Sequence, residues 1–282
     1  MSFLSYLING ISLGSVYAII ALGYTMVYGI ARMLNFAHGD IIMVGGFVIF
    51  TMVSTLGLPP MVGVLVAVIA CTVLGVVIER VAYKPLRGAS SLAVLITAIG
   101  VSYLLQNLAL LIWGADTKSF SNIVNLPSLN LAGGSIVITG VTIVTIIGGI
   151  VIMAGLMAFI SKTKTGQAML AVSEDKGAAQ LMGINVNRTI SITFAIGSGL
   201  AAIAGVLLCA AYPSLTPYTG AMPGIKAFVA AVFGGIGSIP GAFIGGIVLG
   251  ILEIFGKAYI SSQMADAIVF GVLIVVLVVK PT

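Results

Sequence analysis

The chain has 282 residues, of which 60% are apolar and 7% are charged, whereas an average soluble domain carries roughly 25% charged residues. So few polar side chains cannot cover a soluble globule, and the composition also excludes a disordered chain, a collagen-like repeat and a disulfide scaffold. The net charge of +5 does not indicate a nucleic-acid partner, because the basic residues lie beside apolar stretches, where they set orientation in a bilayer. We expect a single domain over 1–282, surrounded by lipid.

Long windows without any charge separate the charged residues into clusters. Each window can hold a spanning helix, which needs about 20 mostly apolar residues, whereas a β-barrel would show alternating segments of about 10 residues. The windows are 1–31, 41–78, 88–115, 119–161, 189–225 and 227–252. The sequence therefore predicts an all-α fold, a polytopic transmembrane bundle of eight or nine spans.

Taken in chain order, the predicted spans are 4–29, 40–56, 61–82, 91–113, 139–161 and 189–211, then a Gly-rich stretch over 224–256 and a last span over 264–280. The first has no basic region before it and no cleavage site, so we expect a retained span and not a signal peptide. Cys71 and Cys209 fall inside apolar windows and are expected to be buried small hydrophobes, in neither a disulfide nor a metal site.

Basic residues are distributed unequally between the two sets of loops, which predicts orientation. Eight fall in the loops after the first, third and fifth spans, namely Arg32, Arg80, Lys84, Arg87, Lys162, Lys164, Lys176 and Arg188. The opposite connections, 57–60, 114–138 and 212–223, contain only Lys118. Because basic loops stay in the cytoplasm, we expect a periplasmic N-terminus.

The stretch over 224–256 would make about 50 Å of helix, which is too long for one crossing of a core about 30 Å thick. The glycines and proline of 234–241 must break it, either into two crossings or into one kinked, partly re-entrant segment. Broken helices are tolerated in a membrane where protein or a wet cavity satisfies the backbone. Gly235, Gly237 and Ser238 are therefore candidates for lining a pathway, and a tight structural turn is the alternative.

Small residues four apart recur near the start of the chain and around the break. Such spacing lets helix backbones approach closely in a membrane, so it predicts tight helix packing and no particular function. The pairs are Gly10/Gly14, Gly237/Gly241, Gly241/Gly245 and Gly246/Gly250.

The loop 162–188 carries six charged residues and predicts a short helix outside the membrane. We expect Ser173 to be the N-cap, with Glu174 and Asp175 in the first turn. Gly183 has the residue type expected at the position just after the last turn. Between them, an apolar face forms that the helix cannot bury by itself, made by Ala178, Leu181 and Met182. This face either packs on the chain's own spans or on lipid headgroups, or it docks in the groove of a cytoplasmic partner.

Three segments resemble one family from end to end of the chain. The loop matches a pattern in which the fixed positions are Thr163, Gly166, Ala168, Ala171, Ala178, Ala179 and the run Gly183 to Arg188. The others are Leu34 to Asp40, which contains Asn-Phe-Ala-His-Gly-Asp, and Lys226 to Gly241. Together they resemble the LivH-type permease subunits of branched-chain amino acid ABC importers.

The resemblance implies an ABC importer permease fold in a bacterial inner membrane. It implies a second, related permease, two cytoplasmic ATPase subunits that bind the ATP, a periplasmic binding protein, and a branched-chain or similar small amino acid as cargo. The short basic tail beginning at Lys280 implies a cytoplasmic C-terminus. The residues expected to couple to the ATPase are Gly166, Ser173, Glu174, Asp175, Ala178, Ala179, Leu181, Met182 and Gly183.

Other polar residues have two interpretations each. Asp40 is expected to cap the second span, with His38 as a turn residue beside it; a gating role or a contact with the partner permease is the alternative, and it includes Asn35. Gln106 and Asn107 either hydrogen-bond between helices or line the path. Tyr24 and Thr25 share the second interpretation.

Several kinds of chemistry are not expected. The Gly256-Lys257-Ala258 sequence is not a P-loop, so ATP should not bind to this chain, and we expect no catalytic residue and no cofactor. His38, the single histidine, lacks the companions of a metal site. The sequence therefore predicts a non-enzymatic subunit whose energy comes from its partners.

The remaining charges are expected at membrane edges. Glu253 and Lys257 are spaced to pair on a helix, and Glu79 and Arg80 are expected to face headgroups. With no ionisable residue evident deep in the bundle, we expect a weakly binding conduit, with selection made by the external binding protein.

Three alternatives remain. A secondary carrier would bind its substrate near the midplane and would need coupling carboxylates inside the bundle, of which none is evident. An aquaporin-like channel would need two Asn-Pro-Ala segments, whereas this sequence contains no Asn-Pro. A permease of the same superfamily for urea, short amides or sugars is also compatible with the sequence.

Overall fold

The computed structural model describes residues 3–119, 127–131 and 136–279, and these form a helical bundle as predicted. The elements in chain order are α1 (Phe3–Ala31), α2 (His38–Phe50), α3 (Pro60–Ile78), α4 (Ser91–Trp113), β1 (Lys118–Ser119), β2 (Leu129–Leu131), β3 (Ile136–Ile138), α5 (Gly140–Lys162), α6 (Lys164–Glu174), α7 (Lys176–Leu181), α8 (Val186–Ala211), β4 (Ser214–Leu215), α9 (Ala221–Gly234), α10 (Ile239–Tyr259) and α11 (Ala265–Val279). A π-helical turn extends α2 to Thr55 and another extends α3 to Tyr83. The short strands pair antiparallel, β1 with β4 and β2 with β3.

Seven of the described helices are long and apolar enough to cross a membrane. Six of them lie within a few residues of the first six predicted spans. The seven segments are Phe3–Ala31, His38–Thr55, Pro60–Leu86, Ser91–Trp113, Gly140–Lys162, Val186–Ala211 and Ile239–Tyr259. The charge-free windows therefore located the spans well, and α9 and α11 add two shorter apolar helices.

Helix α1 lies at the centre of the bundle, and glycines bring its backbone against α10. A Cβ on Gly10 would lie 2.8 Å from the Ile251 Cα, and one on Gly250 would lie 2.2 Å from the Gly14 backbone nitrogen. Contact at this distance requires glycine on both helices, which is the role that the four-residue spacing predicted. Because Gly10 lies beside Ile251 and Ala18 beside Gly246, the two helices run antiparallel.

This pairing defines two ends of the bundle. At the Phe3 end, the ring of Phe3 contacts that of Phe255 and the ring of Tyr6 contacts that of Tyr259, with centroids 5.2 and 5.7 Å apart. At the Arg32 end lies the last turn of α1, where α6 and α7 also pack. Helix α11 therefore begins at the Phe3 end.

The predicted break in the Gly-rich stretch is present at 235–238, and it turns α9 back on α10 as an antiparallel hairpin. Gly235 and Gly237 adopt φ angles of 88° and 100°, in the left-handed region that favours glycine. Helix α9 has 14 residues, about 21 Å, and cannot cross a core about 30 Å thick alone. Its first turn packs inside the bundle, where a Cβ on Gly224 would lie 2.8 Å from the Gly39 Cα. The hairpin thus pairs one full span with one short helix, and between α8 and α10 the chain passes from the Phe3 end to the Arg32 end.

A buried ionic cluster joins α9, α10 and α11, which contradicts the expectation of no ionisable group inside the bundle. Glu253 is 1% exposed and accepts from Lys226, Lys257 and the Tyr17 hydroxyl over 2.8, 2.6 and 2.8 Å. Lys226 also pairs with Asp266 over 2.6 Å. The predicted pair of Glu253 with Lys257 is therefore present, and the hairpin adds Lys226, which sequence spacing could not place there.

The glycines of the hairpin give a direct test of the packing. A Cβ on Gly245 would lie 2.3 Å from the Ala230 carbonyl oxygen, so we expect Gly245→Leu to force α9 from α10 at a cost of about 3 kcal/mol or more. The matched control is Gly155→Leu, because Gly155 is an exposed helix residue with nothing within 4 Å of an added Cβ. The midpoint temperature of unfolding in detergent, measured by size-exclusion chromatography after heating, should fall only for Gly245→Leu. Equal midpoint temperatures for the two variants would contradict this packing.

Candidate functional site

The loop between α5 and α8 folds into two helices, α6 and α7, at the Arg32 end. The Thr163 hydroxyl accepts from the Gly166 N–H over 3.0 Å and caps α6, which satisfies one of its free donors. A Cβ on Gly166 would lie 2.4 Å from the Ile160 Cα, so only glycine permits this corner. The tight turn fixes the direction in which α6 leaves the membrane helix.

The predicted cap of the exposed helix is wrong by two residues. Ser173 lies inside α6, where its hydroxyl donates to the backbone of its own helix, and Glu174 is the last residue of α6. The Asp175 carboxylate caps α7, accepting from the N–H groups of Gly177 and Ala178 over 2.7 and 3.0 Å. Asp175 adopts extended backbone with φ −147°, so it both ends α6 and begins α7.

Helix α7 presents an apolar face outward. Leu181 and Met182 are 91% and 82% exposed, and Ala178 is also exposed, as the predicted face requires. Ala179 points the other way and is buried against the bundle. Gly183 ends the helix with φ 82°, the left-handed conformation expected of that position.

Two basic side chains tie the loop to the end of α1. Arg32 donates to the Ser173 carbonyl over 3.0 Å, and Lys176 donates to the Ala31 carbonyl over 2.9 Å. Arg32 itself has φ 58°, a left-handed conformation that is uncommon outside glycine. Burial, followed by the charges of Arg87 and Arg32, lowers the pKa of the Lys176 ammonium. These two hydrogen bonds connect the loop directly to the end of α1.

The expectation that Glu79 faces headgroups is wrong. Glu79 is fully buried, where it pairs with Arg87 and accepts from the Ser191 hydroxyl over 2.6 Å. Arg87 folds back on it after the third span and also donates to Asn187. Arg80 is exposed. The Glu79 carboxylate can stay buried because the guanidinium of Arg87, eight residues later in the chain, pairs with it.

One cavity joins the loop to the broken segment. It has a volume of about 250 Å³ and lies between α1, α6 and the turn at 235–238. Its lining includes Thr25, Gly29, Met169, Ser173, Glu174, Ile236 and Gly237. Ser238 does not line it; its hydroxyl caps α10 by accepting from the Gly241 N–H over 3.2 Å. The structure thus brings predicted coupling and pathway residues to one place.

The three predicted gating residues are buried in the bundle, His38 and Asp40 in the first turn of α2 and Asn35 in the connection just before it. The Tyr83 hydroxyl donates to the Asn35 side-chain oxygen over 2.9 Å, and the His38 ring packs on Tyr24 with centroids 4.5 Å apart. Within the described residues, His38 Nε2, Asn35 Nδ2 and Thr25 Oγ1 are buried without a hydrogen-bond partner. Buried polar atoms of this kind are uncommon in native proteins.

Asp40 does not cap the second span. Ala37 occupies the cap position, and the Asp40 carboxylate accepts from the Gln106 side-chain amide of α4 over 2.9 Å. Asn107 points away from this pair, since it is exposed and donates to the Tyr103 carbonyl of its own helix. The structure thus separates two neighbours that the sequence treated as a pair.

Sequence reasoning missed the roles of Lys226, Arg32 and Lys176. The sequence does mark out Lys226, because it is the only charged residue between 189 and 252. An ionisable residue within a membrane-spanning region usually has a structural or functional partner. Across the described ranges, no group of three or more His, Cys, Asp or Glu residues is placed to hold a metal ion.

Comparison with known proteins places this chain in a family. A model of the permease component of branched-chain amino acid transport systems matches residues 6–278. The chain is 44% identical to the high-affinity branched-chain amino acid transport permease BraD of Pseudomonas aeruginosa, covering 99% of this chain and 94% of the relative.

Two further relatives carry related names. LivH of Escherichia coli, a permease of the same description, is 44% identical with the same coverage. A probable LivH of Methanocaldococcus jannaschii is 30% identical over 94% of this chain and 84% of its own length. The chain belongs to the permease components of branched-chain amino acid transport systems.

Proposed function

We propose that this chain is one of two permease subunits of an ABC importer that carries branched-chain or similar small amino acids into the cell. The observation that supports this best is the family match over 6–278, which spans nearly the whole chain. A periplasmic binding protein selects the cargo and delivers it to the Phe3 end. Two cytoplasmic ATPase subunits bind and hydrolyse the ATP.

The exposed face of α7 is the proposed contact with an ATPase subunit. Leu181 and Met182 are nearly fully exposed, and a short helix with such a face fits an apolar groove on a partner. The hydrogen bonds from Arg32 and Lys176 link this helix to α1. The shared cavity links α6 to the turn at 235–238, so displacement of the loop reaches the candidate pathway.

The distribution of basic residues supports a cytoplasmic Arg32 end. The N-terminus is then periplasmic, and the end of α10 lies beside it, because Tyr259 contacts Tyr6. Helix α11 starts on the periplasmic side, and the basic tail beginning at Lys280 supports a cytoplasmic C-terminus. The loop 162–188 is cytoplasmic in this arrangement.

Reconstitution tests the function itself. Proteoliposomes containing this chain, its sister permease and the two ATPases should accumulate leucine when the loaded binding protein is outside and ATP is inside. This chain alone should accumulate none. Accumulation by the isolated chain in response to an ion gradient would show that it is a secondary carrier. Uptake of urea or a sugar instead of amino acids would refute the proposed choice of cargo.

The coupling contact is tested by Ala178→Asp. Ala178 lies in the first turn of α7, where a carboxylate is compatible with the helix dipole, so α7 should still form. A buried, unpaired carboxylate in the contact would cost about 2 kcal/mol or more, and the ATPase should no longer co-purify. The control is Ala115→Asp, the same change at an exposed alanine of the opposite end, which should keep both ATPase and transport. Normal transport by Ala178→Asp would refute the coupling role.

Orientation is tested with a membrane-impermeant maleimide. Both native cysteines are buried, so a cysteine introduced by Leu181→Cys reports alone. In spheroplasts that lack the ATPase subunits it should stay unlabelled until the membrane is permeabilised, whereas Ala115→Cys should be labelled at once. The reverse pattern would invert the proposed topology.

A further inference from the structure

Three buried carboxylates in the bundle differ in how their charge is balanced. Glu79 pairs with Arg87, and Glu253 pairs with Lys226 and Lys257. Asp40 is 2% exposed, yet in the part of the chain that the structure describes no cationic nitrogen lies within 4.0 Å of it. A carboxylate buried without a counter-charge is costly, so this one requires an explanation.

Asp40 lies deep within the helices. Its partner Gln106 is 7 residues before the end of α4 and 15 after its start, about 10 Å and 22 Å along the helix axis. His38, two residues before Asp40, packs against Gly23, eight residues before the end of α1. The carboxylate is therefore at membrane depth, and not at a headgroup edge.

The carboxylate forms part of the wall of a groove of about 470 Å³ between α2, α4 and the first turn of α9. Polar atoms on its wall come from Asp40, Gln106 and Ser102, and apolar ones from Leu95, Ile99 and Ile225. Ile99 and Ile225 are 43% and 40% exposed, so the groove is open along one side. One anionic position beside branched apolar side chains matches a small molecule with an ammonium group and an aliphatic side chain.

We infer that this groove is a station of the translocation path, and that Asp40 binds the ammonium group of the amino acid in transit. The inference rests on the proposed function and goes beyond it by naming a residue that contacts the cargo. Gln106 positions the carboxylate through its hydrogen bond, and Ile99 and Ile225 contact the aliphatic side chain. A single charge in an open groove binds weakly, which suits a site that must release its cargo.

Two occupants compete with the cargo for this carboxylate. One is a cation of the sister permease, in which case Asp40 would hold the two permeases together. The other is a bound proton, in which case replacing the carboxyl by an amide of the same shape would change little. The variant Asp40→Asn separates them, because an asparagine oxygen still accepts the Gln106 hydrogen bond while the negative charge is lost.

The first measurement is leucine uptake by the assembled complex with Asp40→Asn. We expect uptake to fall about tenfold or more, the size of a lost charge-assisted hydrogen bond, while both permeases and the ATPase co-purify in normal ratio. The control Asp116→Asn neutralises an exposed carboxylate outside the bundle and should leave uptake unchanged. Unchanged uptake by Asp40→Asn, or loss of the sister permease from the complex, would overturn the inference.

The second measurement detects the cargo in the groove without ATP. In Ile225→Cys, maleimide labelling of the membrane-embedded complex should be slowed by millimolar leucine but not by 4-methylpentanoate, which lacks the ammonium group. Leucine should lose this effect when Asp40→Asn is added. Equal protection by both compounds, or none by either, would overturn the assignment of Asp40.

The two proposals fail in different ways. A wild-type complex that imports no leucine refutes the proposed function. A wild-type complex that imports leucine, alongside an Asp40→Asn complex that imports it at the same rate, refutes only the role of Asp40.

Discussion

The close backbone contact between α1 and α10 determines much of the arrangement around it. Lipid supplies no hydrophobic force between helices, so packing of small residues must hold them together. Glycines at 10, 14 and 250 place the two backbones in contact, and this fixes α10 along the central helix. The turn at 235–238 then lies beside Gly29, and α9 is directed back into the bundle. A short helix inside the bundle and a cavity at the Arg32 end follow from that geometry.

Buried charge is the second constraint, and the structure meets it in two ways. The carboxylates of Glu79 and Glu253 are each bound by cations from the same chain, which ties separate helices together at the cost of removing both charges from water. Breaking one partner away would leave an isolated charge, so these clusters stabilise one arrangement. Among the described residues, Asp40 has only neutral hydrogen-bond partners, Gln106 and Ser102. The same chemical group thus serves as a rigid link at two positions and stays available for a cation at the third.

The sequence predicted whatever depends on local pattern. Charge-free windows marked the spans, the cluster of glycines marked the turn at 235–238, and Gly183 was recognised as a helix end. Pairings between distant segments were not predictable: Lys226 meets Glu253 only because α9 folds back, and Arg87 reaches Glu79 only after a turn. The sequence prediction places the cap at Ser173 and Asp175 in the first turn, although both residue types cap helices well. The choice depended on where α6 ended, and its hydrophobic pattern alone did not reveal that.

The candidate coupling path is short because the loop and the broken segment share one wall. The Arg32 side chain donates to a carbonyl of α6, and the Lys176 side chain of α7 donates to a carbonyl of α1, so both helices are bound to the last turn of α1. Gly29, one turn earlier, lies against Gly237 of the break. A rigid-body shift of α6 and α7 by an ATPase would therefore act on a helix end and a glycine turn at once. Glycines at that turn adopt backbone angles that other residues avoid, so the turn can change its conformation with little steric penalty.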